Sequence, residues 1–142
     1  MTDWQELYRS KLVTSDEAVS HIPDNCRVFF GHAANEPSVL VDALVRNYER
    51  FTNVEITHWV PLGRSEYCDP KMAGHFRHNA MFVGAATRKA VQEGRADYTP
   101  FFYHQSTRFF SDGTFPIDVA MVSCTPPDKH GYVSLGVSVG GT

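Results

Sequence analysis

The chain has 142 residues, 42% of them apolar and 13% aromatic, which suffices for the core of one domain and is far from a disordered or fibrous composition. A formal net charge of −3, with no lysine- or arginine-rich run, argues against nucleic acid as the main partner. No stretch nears the roughly 18 consecutive apolar residues of a membrane span, and the opening MTDWQELYRS is too polar for a secretory signal, so a cytoplasmic protein is expected.

Trp4, Leu7, Tyr8 and Lys11 recur at helical spacing and predict a helix from Trp4 to Lys11. Ser15 is a candidate N-cap for a second short helix, with Asp16 and Glu17 in its dipole-favoured first turn. Pro23-Asp24-Asn25 turns the chain into a first strand, Cys26 to Phe30. A helix from Pro37 to about Tyr48 follows, with Val39, Leu40, Ala43, Leu44 and Asn47 on one face. The run Val54 to Val60 predicts a second strand. Pro61 to His78 lacks a clear period and reads as a long excursion, the kind of loop that often carries function. Ala80 to Val83 reads as a short strand and Thr87 to Glu93 as a helix ended near Gly94. Tyr98 to His104 is the next strand, and Ser106 caps a turn of helix through Phe110. The alternation predicts an α/β fold, a mostly parallel open sheet with flanking helices.

The apolar run Ile117 to Val122 has the length and β-branched content of a strand buried on both faces. Pro126 and Pro127 stop it, because each fixes φ and removes a ladder donor. After the turn Lys129-His130-Gly131, Val133, Leu135, Val137 and Val139 alternate with small residues and predict a last strand, Tyr132 to Val139. A strand so near the last residue, Thr142, leaves a sheet face uncovered, and a fragment of a longer chain is expected. Cys26, Cys68 and Cys124 are far apart and form no CxxC, so reduced thiols are the default, with Cys26 and Cys124 as small buried hydrophobes.

Ligands of open parallel sheets sit off the carboxyl ends of the strands, where the loop Gly31-His32-Ala33-Ala34-Asn35-Glu36-Pro37 belongs. Gly31 permits close approach of a ligand, and His32 and Asn35 are candidate pocket residues. The plainer alternative is a tight turn in which Asn35 or Glu36 caps the following helix. Trp59 ends the second strand and either walls a site for an acyl chain or packs in the core. His75 and His78 with Cys68 upstream suggest a metal site only weakly: they lie on no clear helix, lack a fourth ligand and have Arg77 between them, so no metal is expected. Lys129-His130 is either a solvated pair or a phosphate contact. No serine has a GxSxG frame, and the glycine-rich end lacks the Lys-Ser/Thr of a phosphate loop.

Thr125-Pro126-Pro127-Asp128, Gly131-Tyr132 and Ser134-Leu135-Gly136 at the end of an apolar strand resemble the acetyl-CoA hydrolase/transferase family, N-terminal domain. Within it the resemblance is closest to the 4-hydroxybutyrate and butyrate CoA-transferases. The entry helix at Trp4, the Asp16-Glu17-Ala18-Val19 helix and the His32-x-x-x-Glu36-Pro37 loop match in order, from Trp4 to about Ser138. The resemblance implies movement of coenzyme A between an acyl-CoA and a short-chain carboxylate such as acetate, butyrate or 4-hydroxybutyrate. It implies no cofactor beyond the coenzyme A thioester as substrate, and a homodimer for the intact protein. It also implies a second, C-terminal domain bearing the glutamate nucleophile and a glycine-rich oxyanion loop, neither with a counterpart here. Glu36 stands in the wrong motif for that nucleophile, so these residues carry no catalytic group, and His32, Asn35 and Trp59 form a substrate-binding wall. An acyl-CoA hydrolase and a non-catalytic interaction module are the alternatives. A phosphosugar isomerase lacks its basic phosphate clamp here.

Overall fold

The computed structural model describes residues 3–136. Its centre is a five-stranded parallel sheet in the order β4-β3-β2-β1-β5, where β1 is Arg27–Phe30, β2 Val54–His58, β3 Phe76–Ala80, β4 Asp97–Tyr98 and β5 Val119–Met121. Five helices flank it: α1 Trp4–Lys11, α2 Ser15–Ser20, α3 Ser38–Arg46, α4 Ala85–Gln92 and α5 Ser106–Ser111. No helix among the described residues is long and apolar enough to cross a membrane.

Register decides which residues share a face. Val28, Ile56 and His78 lie side by side across β1, β2 and β3, and Phe29, Thr57 and Asn79 do so on the opposite side. The first face packs Val28, Phe30, Val54, Ile56 and Phe76 against Val19, Ile22, Val41 and Leu44 of α2, α3 and the following turn. The second face packs Phe29, Trp59, Met81 and Phe115, with Phe101, Phe109, Phe110 and Ile117 half-buried around them.

Helix ends obey local chemistry. Asp3 caps α1 by accepting from the N–H groups of Gln5 and Glu6. Thr14, rather than Ser15, caps α2 through the Glu17 N–H. Neither Asn35 nor Glu36 caps α3, which begins at Ser38 after Pro37 with no side-chain cap, because both side chains are engaged elsewhere.

Several expected strands move. Residues 61–78 are not all excursion: β3 begins at Phe76. Its sequence, Phe-Arg-His-Asn-Ala, hides a strand because two of its buried residues are polar, His78 and Asn79. The expected strand at Ala80 to Val83 keeps only Ala80, and that at Tyr98 to His104 keeps only Tyr98. β5 is an edge of the sheet among the described strands, with Ala120 exposed, not a strand buried on both faces. Tyr132 to Gly136 form no ladder, although Thr125 and Ser134 bond each other: the Thr125 N–H donates to the Ser134 carbonyl, and the Ser134 N–H to Thr125 Oγ1. Val137 to Val139 lie outside the described residues. Cys26 is buried as expected, but Cys124, past the end of β5, is exposed.

Candidate functional site

From β1 the chain steps to β2, β3 and β4 on one side, then crosses back to lay β5 on the other. The order therefore reverses between β1 and β5, where open parallel sheets leave a crevice off their carboxyl ends. The 31–37 loop stands at that crevice. Gly31 donates its N–H to the Met121 carbonyl at 2.8 Å, locking the loop to β5. A Cβ at Gly31 would lie 2.6 Å from the Asn35 carbonyl oxygen, so only glycine permits this turn. Ala33 holds φ at +50°, a left-handed conformation costing about 1–2 kcal/mol, and is fixed by an N–H bond to the Val60 carbonyl at 2.9 Å.

The three candidate residues divide between the two sides of this loop. His32, half-buried, meets Trp59 edge to face with ring centres 5.1 Å apart. Trp59 is 3% exposed and lies within an aromatic cage of Phe29, Phe101, Tyr103 and Phe110. It thus packs in the second-face core, the plainer of the two roles the sequence left open, and touches the His32 loop from there. Asn35, 2% exposed, turns toward β5, where its Oδ1 accepts the Ser123 N–H at 3.0 Å. Beside it a groove of about 340 Å³ is lined by Ala34, Asn35, Ser123, Cys124, Thr125 and Leu135, none of them charged.

A larger hollow of about 370 Å³ opens at the other end of the sheet beside Asn53, Phe76, Arg77 and Arg95. Its cations are already used: Arg77 forms a two-bonded pair with Asp97, and Arg95 bonds Glu93 and the Cys68 carbonyl. The crevice off the carboxyl ends is the better candidate, since it combines a topological reversal, a strained loop and a buried aromatic.

Two features eluded sequence reasoning. Glu36 reaches across 26 residues, and one of its oxygens accepts the N–H groups of Leu62, at 2.5 Å, and Gly63, at 2.9 Å. The carboxylate is thereby committed to the segment that follows Trp59. Below that segment lies a buried polar stack on the first face. His58 and His78, each 1% exposed, stack with ring centres 4.5 Å apart. His58 Nε2 bonds the Tyr67 hydroxyl at 2.5 Å, and that hydroxyl bonds Ser65 Oγ at 3.1 Å. His78 Nδ1 is bonded to the Ile56 carbonyl at 2.9 Å, the geometry of an N–H donor. Burial drives His58 well below the ordinary imidazole value and lowers His78 to about 4, so both rings are neutral near pH 7. Burial likewise raises the Tyr67 phenol, and it raises the Cys68 thiol to about 12, which makes Cys68 a poor nucleophile. His75 bonds the Phe51 carbonyl at 2.7 Å and packs on Tyr48, so His75 and His78 serve separate backbone sites. The only signals for this stack were polar residues within strand-like segments.

The family described as acetyl-CoA hydrolase/transferase N-terminal domain matches residues 1–142. A 4-hydroxybutyrate coenzyme A transferase of Clostridium kluyveri is 49% identical over 136 residues, covering 96% of this chain and 32% of its own. The RipA crystal structure from Yersinia pestis superposes with a TM-score of 0.86 at 28% identity, over 96% of this chain and 34% of that one. A 4-hydroxybutyrate CoA-transferase structure from Porphyromonas gingivalis gives 0.72 at 31% identity, over 95% and 30%. The chain spans about a third of the length of these relatives.

Proposed function

The chain belongs to the acetyl-CoA hydrolase/transferase family as its N-terminal domain, and from that premise we propose that it is part of a CoA-transferase. The enzyme moves coenzyme A between an acyl-CoA and a short-chain carboxylate: acetate, butyrate or 4-hydroxybutyrate. The observation that carries this reading is the contact between His32 and Trp59 off the carboxyl ends of β1 and β2, beside the sheet's reversal. An aromatic wall there suits an acyl chain, and the neighbouring uncharged groove suits a neutral substrate arm.

In this proposal the domain supplies binding surface: His32, Asn35 and Trp59 line the substrate side, and no residue here attacks. The chemistry is that of the family resemblance. A glutamate from a second domain attacks the acyl-CoA carbonyl, forming a mixed anhydride and expelling the coenzyme A thiolate. The thiolate then attacks the glutamyl carbonyl, giving an enzyme thioester and releasing the carboxylate, and the acceptor acid reverses both steps. Glu36, bonded to two backbone N–H groups, supports its exclusion as that nucleophile. The active form is a cytoplasmic homodimer carrying both domains.

The test is coenzyme A transfer from acetyl-CoA to butyrate or 4-hydroxybutyrate by the protein that carries this domain. Parallel initial-rate lines, the mark of ping-pong kinetics, are expected. Thiol release without an acceptor acid at the rate of transfer would instead make it a hydrolase. The 142 residues alone are expected to give no turnover, and measurable turnover would overturn the assignment of the nucleophile to another domain.

A further inference from the structure

Two loops leave the carboxyl edge of the sheet side by side, the one after β1 and the one after β2, and they are tied at successive points. The Ala33 N–H donates to the Val60 carbonyl, then the N–H groups of Leu62 and Gly63 both donate to Glu36. Gly63 sits so close that a Cβ there would lie 2.5 Å from the other Glu36 oxygen. Further along, Ser65 holds φ at +54° and is bonded by the Tyr67 hydroxyl. A segment with a left-handed serine does not keep this shape unaided. It is held from outside by Glu36 and from beneath by Tyr67 and His58.

We propose that Glu36 is a positioning residue for the acyl-binding wall: its carboxylate fixes the segment Pro61 to Ser65 against the His32 loop, and so fixes the side of the site that continues from Trp59. This rests on the CoA-transferase reading and goes beyond it by giving a role to a carboxylate that chemistry alone would nominate as nucleophile. One oxygen accepts two N–H groups and the other lies where a Gly63 side chain would stand, so use of the carboxylate as a nucleophile would weaken its tie to the segment. The substrate contacts belong to the segment, and Glu36 acts through it.

The experiment compares Glu36→Ala, Glu36→Gln and Gly63→Ala in the protein carrying this domain, by transfer kinetics and by hydrogen exchange at Leu62 and Gly63. Glu36→Ala is expected to lower kcat/KM by about 10- to 100-fold, mostly as a rise in KM for acyl-CoA, with faster exchange at both amides. Glu36→Gln retains one acceptor oxygen and is expected to fall between wild type and Glu36→Ala on both measures. Gly63→Ala pushes the same segment away with Glu36 intact and is expected to raise KM in the same way. A glutamine variant as inactive as the alanine variant would mark the charge itself as essential and overturn the proposal. So would an unchanged KM in either Glu36→Ala or Gly63→Ala. A wild-type protein without transfer activity would defeat the functional reading and this role together, an outcome distinct from the others because they require an active wild type.

Discussion

The two faces of the sheet are built differently. The first is an aliphatic core closed by α2 and α3 and by Tyr67 and Met72 from the connection between β2 and β3, with Val28, Leu44, Val54, Ile56 and Phe51 fully buried. The second is aromatic and thinner: Phe29, Trp59 and Phe115 at its centre, half-buried Phe101, Phe109 and Phe110 around them, and Phe102 and Tyr103 exposed at 72% and 62%. The first face has the packing that maintains a fold, whereas the second keeps ring surface within reach of the crevice. Aliphatic packing and aromatic packing thus fall on opposite sides of the same strands, with β1 contributing Phe30 to one and Phe29 to the other.

The largest expected effect separates the faces directly. Phe30→Ala removes a ring packed against His58 and Tyr67 and should cost about 3–5 kcal/mol in chemical denaturation. Phe110→Ala, at a half-buried second-face position, should cost about half as much. Equal losses would erase the distinction.

Acid is the next probe, because the first face alone hides the histidine pair. His78 titrates near 4 when folded, below the ordinary value of 6.5, so between these values the unfolded chain takes up a proton that the folded chain refuses. Stability is undiminished by this group above pH 6.5, falls as pH falls through that window, and is lower by about 3 kcal/mol below pH 4. His58, displaced in the same direction, steepens the loss. Glu55 and Asp97 act the other way on His78 by favouring its charged form. Unfolding free energy measured from about pH 7.5 to about pH 4 should fall with this slope, and His78→Gln should flatten it. A wild-type protein with no slope there would place the pair in contact with water.

Tyr67→Phe tests whether the polar stack contributes beyond packing. The ring stays, but His58 and Ser65 lose their shared hydroxyl, at an expected cost of about 1–3 kcal/mol. A cost near zero would mean that the stack is held by ring contacts alone.

This division was partly legible in the sequence. The helical period around Leu44 and the apolar runs of β1 and β2 announced themselves, because aliphatic spacing reports the first face directly, while the period around Leu7 marked α1, a helix that buries no residue. β3 did not, because His78 Nδ1 bonds the Ile56 carbonyl and the Asn79 amide bonds Glu55 and Thr99, partners about 20 residues away in sequence that no local pattern reveals. The meeting of the His32 loop with Trp59 followed from a parallel sheet, in which successive strands bring their carboxyl ends together. The Glu36 tie did not follow, since a carboxylate beside a proline reads as a local cap, and only the fold shows the backbone N–H groups 26 and 27 residues away.

Trp59 gives the smallest expected change in stability and the sharpest test of the comparison. It is as buried as a core residue, yet among the described residues its indole Nε1 has no hydrogen-bond partner. Trp59→Phe therefore orphans no acceptor and keeps an aromatic edge toward Phe29 and Phe110, so the expected cost is about 1 kcal/mol, less than for Tyr67→Phe. The smaller ring leaves a gap on the side of His32 and Tyr103, where the crevice begins. If the second face serves recognition, KM for acyl-CoA rises about three- to tenfold in the protein carrying this domain, against a minor loss of stability. An unchanged KM with a loss of 3 kcal/mol or more would return Trp59 to the core alone, and the two faces would then differ in composition without differing in purpose.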